Sequence, residues 1–219
     1  MSERTGIPEA LPGVGAPGAQ ERIIAATIEI IERDGIALAT TRAIASLAGV
    51  NIAAINYYFR SKEALVQTAL DASWNNALAD LLALVEADSL EPRAMLFSLI
   101  DFLVEGQARY PFVTRAHLSV DSPGRARVVK DFHGLVERLV RRIETGLGRE
   151  SSPADEARTW ALLAATLIPA FAPGLSPDLS REEARKEYAR LLVSDYLAVF
   201  GRESAGGGLP APIAVARLP

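Results

Sequence analysis

The sequence contains no cysteine and only two histidines, His117 and His133. The first absence excludes a disulfide framework, thiolate metal sites and cysteine nucleophiles. The second leaves little from which to build a zinc centre or imidazole-based catalysis, and no carboxylate stands at a ligand spacing from both rings. Long apolar runs are missing too. Trp160 to Pro173, the longest candidate, is shorter than the roughly 18 residues a spanning helix needs, and Thr166 and two prolines interrupt it. No apolar stretch precedes Ile23, so nothing resembles a signal peptide, and a cytoplasmic protein without membrane contact is expected. Phosphate-loop and dinucleotide glycine patterns are also absent. Ser122, near Asp121 and His117, lacks a nucleophile elbow. No catalytic residue, metal or cofactor is therefore assigned. Positive charge is in deficit as well: the net charge is −4, which argues against coating nucleic acid by bulk charge.

What is present is helical. About half of the 219 residues are apolar and 23% are charged, enough for a packed core. Glycine and proline crowd residues 1–18 and 203–219, which are expected to form a disordered arm and a flexible tail. Between them the apolar residues recur at helical period. Helices are predicted over Ala19–Arg33, from Thr41 to Gly49, and over Ile52–Tyr58, Lys62–Glu86, Pro92–Arg109, Phe112–Val120, Arg125–Leu147, Ala154–Phe171 and Arg181–Phe200. No strand pattern is found. The fold class is all-α with about nine helices. Two domains are expected: a three-helix domain over 19–66 and a larger helical domain over 67–202.

The informative segment is Thr40 to Lys62, reading TTRAIASLAGVNIAAINYYFRSK. Two short helices meet at Gly49, where a left-handed backbone would stop one helix and re-aim the chain. That is the layout of a helix-turn-helix, whose second helix enters the major groove. Ile44, Leu47, Ile52, Ile55 and Phe59 are read as inward-facing. Thr41, Arg42, Asn51, Ala53, Ala54, Asn56, Tyr57, Tyr58, Arg60 and Lys62 are left for solvent or DNA. Asparagine and arginine can pair with base edges, and tyrosine and lysine reach phosphates. Arg42, Arg60 and Lys62 are joined by no acid in this stretch, which leaves the remaining chain at −7. Three positive charges are modest, so the affinity is expected to rest on using the surface twice in a dimer.

The first helix, the Thr-Thr-Arg-x-Ile-Ala-x-x-Ala-Gly-Val turn and Tyr-Phe-x-Ser-Lys-Glu-x-Leu resemble the TetR family of bacterial transcriptional repressors over roughly Gln20 to Leu70. The resemblance implies base contacts from Arg42 and from the Asn51–Ala54 segment, Ile52 included. It implies backbone or thymine-methyl contacts from Tyr57 and Tyr58, and a phosphate contact from Lys62. Asn56 departs from the family, which most often has a phosphate-contacting tyrosine there; an asparagine could read adenine instead. The resemblance further implies a homodimer on a palindromic operator, released by an unidentified small molecule held in the C-terminal domain.

Trp74, Phe97, Phe102, Phe112, His117, Phe132 and Trp160 are the candidate effector residues, with Asp101, Arg109 and Arg115 as further polar candidates. Aromatics on helix faces also serve as plain core packing. Small residues on the eighth helix (Ala157, Ala161, Ala164, Ala165, with Leu163, Leu167 and Ile168) permit close helix approach. Tyr188, Leu192, Tyr196 and Val199 line one face of the last helix. The two helices read as a dimer interface, and the family resemblance implies that they pair with their mates across a two-fold axis, the alternative being that they close the monomer core. Pro169 should kink the end of the eighth helix. Two other functions stay open: a DNA-binding protein of the same fold controlled by a protein partner, and an all-α enzyme.

Overall fold

The computed structural model describes residues 18–119, 122, 124–148, 152–172 and 177–203. Apart from Gly18 and Glu203, the expected arm and tail lie outside the described residues. Nine α-helices and no strand are present among those described: α1 (Ala19–Asp34), α2 (Thr41–Ala48), α3 (Ile52–Phe59), α4 (Lys62–Glu86), α5 (Pro92–Arg109), α6 (Pro111–Leu118), α7 (Arg125–Gly146), α8 (Pro153–Phe171) and α9 (Glu182–Glu203). Gly18 is the N-cap of α1, its N–H donating to Glu21 3.0 Å away. The residues separate into two compact units. One runs up to Ala77 and takes in Tyr110–Val129; the other joins Leu78–Arg109 to the chain from Lys130 onward.

The first unit is built from α1, α2, α3, the first part of α4 and α6. Local chemistry sets each boundary. Gly35 closes α1 by donating to Ile31 O at 2.9 Å, and a single 3-10 turn, Ile36–Leu38, leads to α2. Thr40 caps α2, its hydroxyl accepting from Ala43 N. Gly49 adopts φ 64° and ψ 39°, the left-handed conformation that ends α2 at no steric cost. Asn51 caps α3 and Ser61 caps α4 in the same way as Thr40.

Ile23, Ile30, Ile31, Ile44, Ile55, Phe59, Leu65 and Leu70 form the core of this unit, each large side chain contributing about 1.5–3 kcal/mol by leaving water. Two residues read as inward-facing are not: Leu47 is 41% exposed and Ile52 40%. Leu47 lies about 100° round α2 from the middle of the buried Ile44–Ala45–Ala48 arc. Ile52 opens α3, and its side chain leans toward the N-terminus, where no preceding turn covers it. On α1, Ile23, Thr27, Ile30 and Ile31 are buried and Ile24 and Ile28 only partly so.

In the second unit α5 packs on α8 and α9. Leu96, Leu99, Ile100, Val104, Leu162, Leu163, Ala189 and Val193 are buried there, as are Leu135, Leu139 and Ile143 of α7. Gly146, at the end of α7, has a packing reason: a Cβ on it would stand 2.3 Å from Pro92 Cγ. Pro169 lies inside α8 and cannot donate to Ala165 O. The Tyr188 hydroxyl donates to that carbonyl instead, at 2.7 Å. The buried Gln107 amide completes the repair, donating to Thr166 O and accepting from Ala170 N–H, the two groups an unbroken ladder would pair.

No described helix is long and apolar enough to cross a membrane.

Candidate nucleic-acid interface

The core residues of α3, Ile55 and Phe59, leave a solvent-facing arc of Ile52, Ala53, Asn56, Tyr57 and Arg60, since 100° per residue brings these to one side. Ala54 is half-buried beside it. Tyr57 is 81% exposed. It is braced edge-on by Tyr58 at 5.1 Å, and Tyr58 leans on Phe59 at 6.2 Å. The outermost ring is thus tied to the core. Such a ring can meet a sugar-phosphate strand without first losing much rotamer freedom.

Asn51 has a structural duty. Its Oδ1 accepts from Ala53 N–H at 2.9 Å, which uses the acceptor that base reading would need. Arg42 is exposed on α2, and Thr41 beside it is half-buried. Lys62 folds back at the start of α4 with its Nζ 3.5 Å from Ala37 O, a long contact that a phosphate could replace. Arg60 ends α3 at φ 60°, a positive φ on a non-glycine residue, and the sharp turn it makes lets Ser61 cap α4. The surface is therefore a short helix with a small, uncharged outer face, flanked by cations on either side in sequence.

A second feature of this unit was not anticipated. Glu32 of α1 accepts from the N–H groups of Phe112 and Val113 at 3.1 and 3.0 Å, and so caps α6. Burial raises the carboxyl pKa, against the lowering pull of those two N–H groups and of Arg115. The sequence signal available was weak: Pro111 at the first turn of a helix announces open N–H groups without saying which acid satisfies them.

The candidate effector residues divide between the two units. Trp74, Phe112 and His117 lie in the first; Phe97, Phe102, Phe132 and Trp160 lie in the second. Trp74 is buried, with its ring 5.8 Å from that of His117. His117 Nε2 is 3.4 Å from Ser73 Oγ. Burial lowers the imidazole pKa to about 4, a drop that Asp71 partly opposes. Phe112 is exposed beneath the Arg115 guanidinium, 4.4 Å from the ring centre.

In the second unit Trp160 meets His133 edge-on at 4.8 Å. Phe132 is buried and Phe102 half-buried. Phe97 lines an open groove of about 610 Å³ between α5 and α9, with Arg93, Arg190 and Leu191. Asp101 is half-buried and Arg109 exposed, and neither lines that groove. Among the described residues no three acidic or histidine side chains gather where they could hold a metal ion.

The pairing face drawn on α9 needs correction. Tyr196 is buried, its hydroxyl 2.8 Å from Thr159 Oγ1, and Tyr188 is bonded to Ala165. Both serve the packing of α9 on α8 within one chain. Leu192 is half-buried, and the side chain of Val199 lies outside the described residues. On α8, Leu163 is buried and Leu167 and Ala165 are half-buried, whereas Ala157, Ala161, Ala164, Ile168 and Phe171 are all exposed. Their steps of four, three, four and three make a continuous stripe along the helix. Ile168 and Phe171 are 50% and 51% exposed, and Leu191 on α9 53%.

The family model for bacterial regulatory proteins of the tetR family matches residues 23–69. The HTH-type transcriptional regulator BetI of Ectopseudomonas mendocina (strain ymp) is 32% identical over 199 residues, covering 85% of this chain and 96% of that one. Among solved structures, a TetR transcription regulator from Haloarcula marismortui superposes with a TM-score of 0.65 at 21% identity, over 83% of this chain and 97% of that one. FadR of Bacillus subtilis, solved in complex with stearoyl-CoA, superposes with a TM-score of 0.61 at 15% identity, over 79% and 97%. At such identities the two structures speak for the fold alone.

Proposed function

Because the chain belongs to the TetR family of bacterial transcriptional regulators and is a DNA-binding protein of that kind, we propose that it is a cytoplasmic repressor. It binds a palindromic operator as a homodimer and is released by a small molecule. The observation that carries the DNA-reading part is the α2–Gly49–α3 geometry, with a braced Tyr57 and an uncharged helix face turned to solvent. Thr41, Arg42, Ala53, Ala54, Asn56, Tyr57, Tyr58 and Lys62 are the contact residues in this reading; Ile52 joins them as an exposed side chain, and Asn51 acts mainly by holding α3 in place.

The dimer reading is supported by the exposed α8 stripe. Its small residues would let two such helices approach closely, and Ile168, Phe171 and Leu191 would supply apolar area. The effector reading is supported by the mixed lining of the α5–α9 groove, where Phe97, Leu191 and Val193 stand beside Arg93, Arg190 and Glu91. FadR, a protein of the same fold, carries stearoyl-CoA in its solved complex.

Selection of bound sites from random duplex DNA tests the core of the proposal. A two-fold-symmetric site should be enriched, and Arg42→Ala combined with Tyr57→Ala should cost about 4 kcal/mol of binding to it, roughly a thousandfold, with the dimer intact. Enrichment of no duplex sequence, or undiminished binding by the double variant, would refute the assignment.

A further inference from the structure

We infer that the recognition face of α3 reads A·T-rich half-sites, with Ile52 and Ala53 meeting thymine methyls and Asn56 pairing with an adenine. The inference rests on the DNA-binding reading and adds the class of base pair that the head prefers.

The argument begins with what α3 does not carry. From Ile52 to Phe59 there is no charged side chain. Guanine is read most often by an arginine or lysine that bonds its O6 and N7 together, and base contacts concentrate at the N-terminal end of a recognition helix. Arg60 leaves at the opposite end, roughly 12 Å along the axis from Ile52. That leaves Arg42, on the preceding helix, as the cation placed for guanine. Cytosine offers an amino donor alone; Asn51 Oδ1 already accepts from Ala53 N–H, and the Asn56 amide can use its donor and its acceptor together only on adenine.

What α3 does present fits the other pair. Ile52 is 40% exposed although it is aliphatic. An exposed aliphatic on a groove-facing arc gains free energy only where it finds apolar surface, and the apolar group on the major-groove floor is the thymine C5-methyl. Ala53, next to it, is exposed and too small to hold the backbone away. Asn56 stands one turn on from Ile52, on the same exposed arc. Its amide can donate to N7 and accept from the N6 amino group of adenine as a pair. An apolar contact followed one helical turn later by an amide suits neighbouring thymine and adenine edges.

The test uses the unaltered protein and altered DNA. Starting from the selected site, single thymines in both half-sites are replaced by deoxyuridine, which removes only the methyl. At about 0.8 kcal/mol per buried methyl-sized group, the contacted position should lose about fourfold per half-site, or roughly fifteenfold for the symmetric pair. Ile52→Ala should bind thymine and uracil duplexes equally at the position Ile52 contacts, while keeping the discrimination at the Ala53 position and the parent's salt dependence. Asn56→Ala should lose about tenfold and become indifferent to 7-deazaadenine at its position. Tight, specific binding to half-sites whose contacted pairs are G·C, or indifference of the parent protein to every thymine-to-uracil change, would overturn this inference and leave DNA recognition standing. Recovery of no specific duplex would remove both.

Discussion

The two units use their apolar residues differently. In the first, a compact set of isoleucines and Phe59 is consumed by the core, and what remains on α3 is a surface whose chemistry can be read by subtraction. In the second, α8 is apolar on two sides. Leu162 and Leu163 fill its own core, while Ala157, Ala161, Ala164, Ile168 and Phe171 face outward. A helix with one wet face announces its function by the polar residues it keeps. A helix with two apolar faces does not say which of them belongs to its own chain and which to a second one.

The sharpest way to break this comparison is to charge the outer face of α8. Ile168→Glu should raise the dimer dissociation constant by at least about a hundredfold, on the order of 3 kcal/mol for a carboxylate forced into an apolar contact, as read by sedimentation velocity. The unfolding midpoint of the separated chains should stay near that of the parent. Leu192→Glu should do the reverse, lowering stability because Leu192 is half-buried within one chain. An Ile168→Glu protein that sediments as the parent does would return the stripe to ordinary surface.

The next effect lies inside the second unit. Gln107 bridges Thr166 O and Ala170 N–H beside Pro169. Gln107→Leu keeps the volume but removes both hydrogen bonds and leaves Thr166 O and Ala170 N–H unpaired, so about 2 kcal/mol of stability should be lost in urea unfolding. No change would mean that the ladder recloses around the proline unaided.

The first unit has its counterpart in His117. The folded state holds this imidazole neutral, with its pKa lowered by burial from 6.5 to about 4. Between those values the unfolded chain binds the proton and the folded chain does not, so stability falls as pH drops through that window and levels off below about 4. From pH 7 to 5 the loss should be about 2 kcal/mol. His117→Gln should flatten that part of the pH profile, and an equally steep profile in the variant would assign the loss to other groups.

How much of this was legible in the residues follows from the range of the interactions involved. Thr40, Gly49 and Ser61 act on neighbours one to four positions away, so the boundaries of α2, α3 and α4 and the turn between α2 and α3 could be read directly. Leu47 and Ile52 were misplaced inward because apolar character was taken as burial, and their position on the arc and at the helix start decided otherwise. The partners of Glu32 and Gln107 lie 80 and 59 residues away, beyond any periodicity argument. Tyr188 and Tyr196 share the spacing of an interface row, yet their hydroxyls are spent on Ala165 and Thr159 of the same chain. The seven effector candidates were chosen by aromatic type, and they lie in two units.

The smallest effect separates two uses of one side chain. Lys62 reaches Ala37 O at 3.5 Å, so it can stiffen the approach to α2, or it can serve as a phosphate ligand that rests there when DNA is absent. A phosphate contact releases counterions, and its loss lowers the slope of log K against log salt by about 0.9 per contact. Lys62→Ala should therefore weaken binding to every duplex alike, by about 1 kcal/mol, and flatten the salt slope by about 1 for each head engaged. A lysine that only holds the Ala37 carbonyl would give a different pair of results: a lower unfolding midpoint with an unchanged slope. Gel-shift titrations at several salt concentrations, beside a thermal melt of the free protein, tell these outcomes apart. The slope is the decisive quantity, because screening acts on the charge that meets DNA and leaves a 3.5 Å contact to a neutral carbonyl nearly untouched.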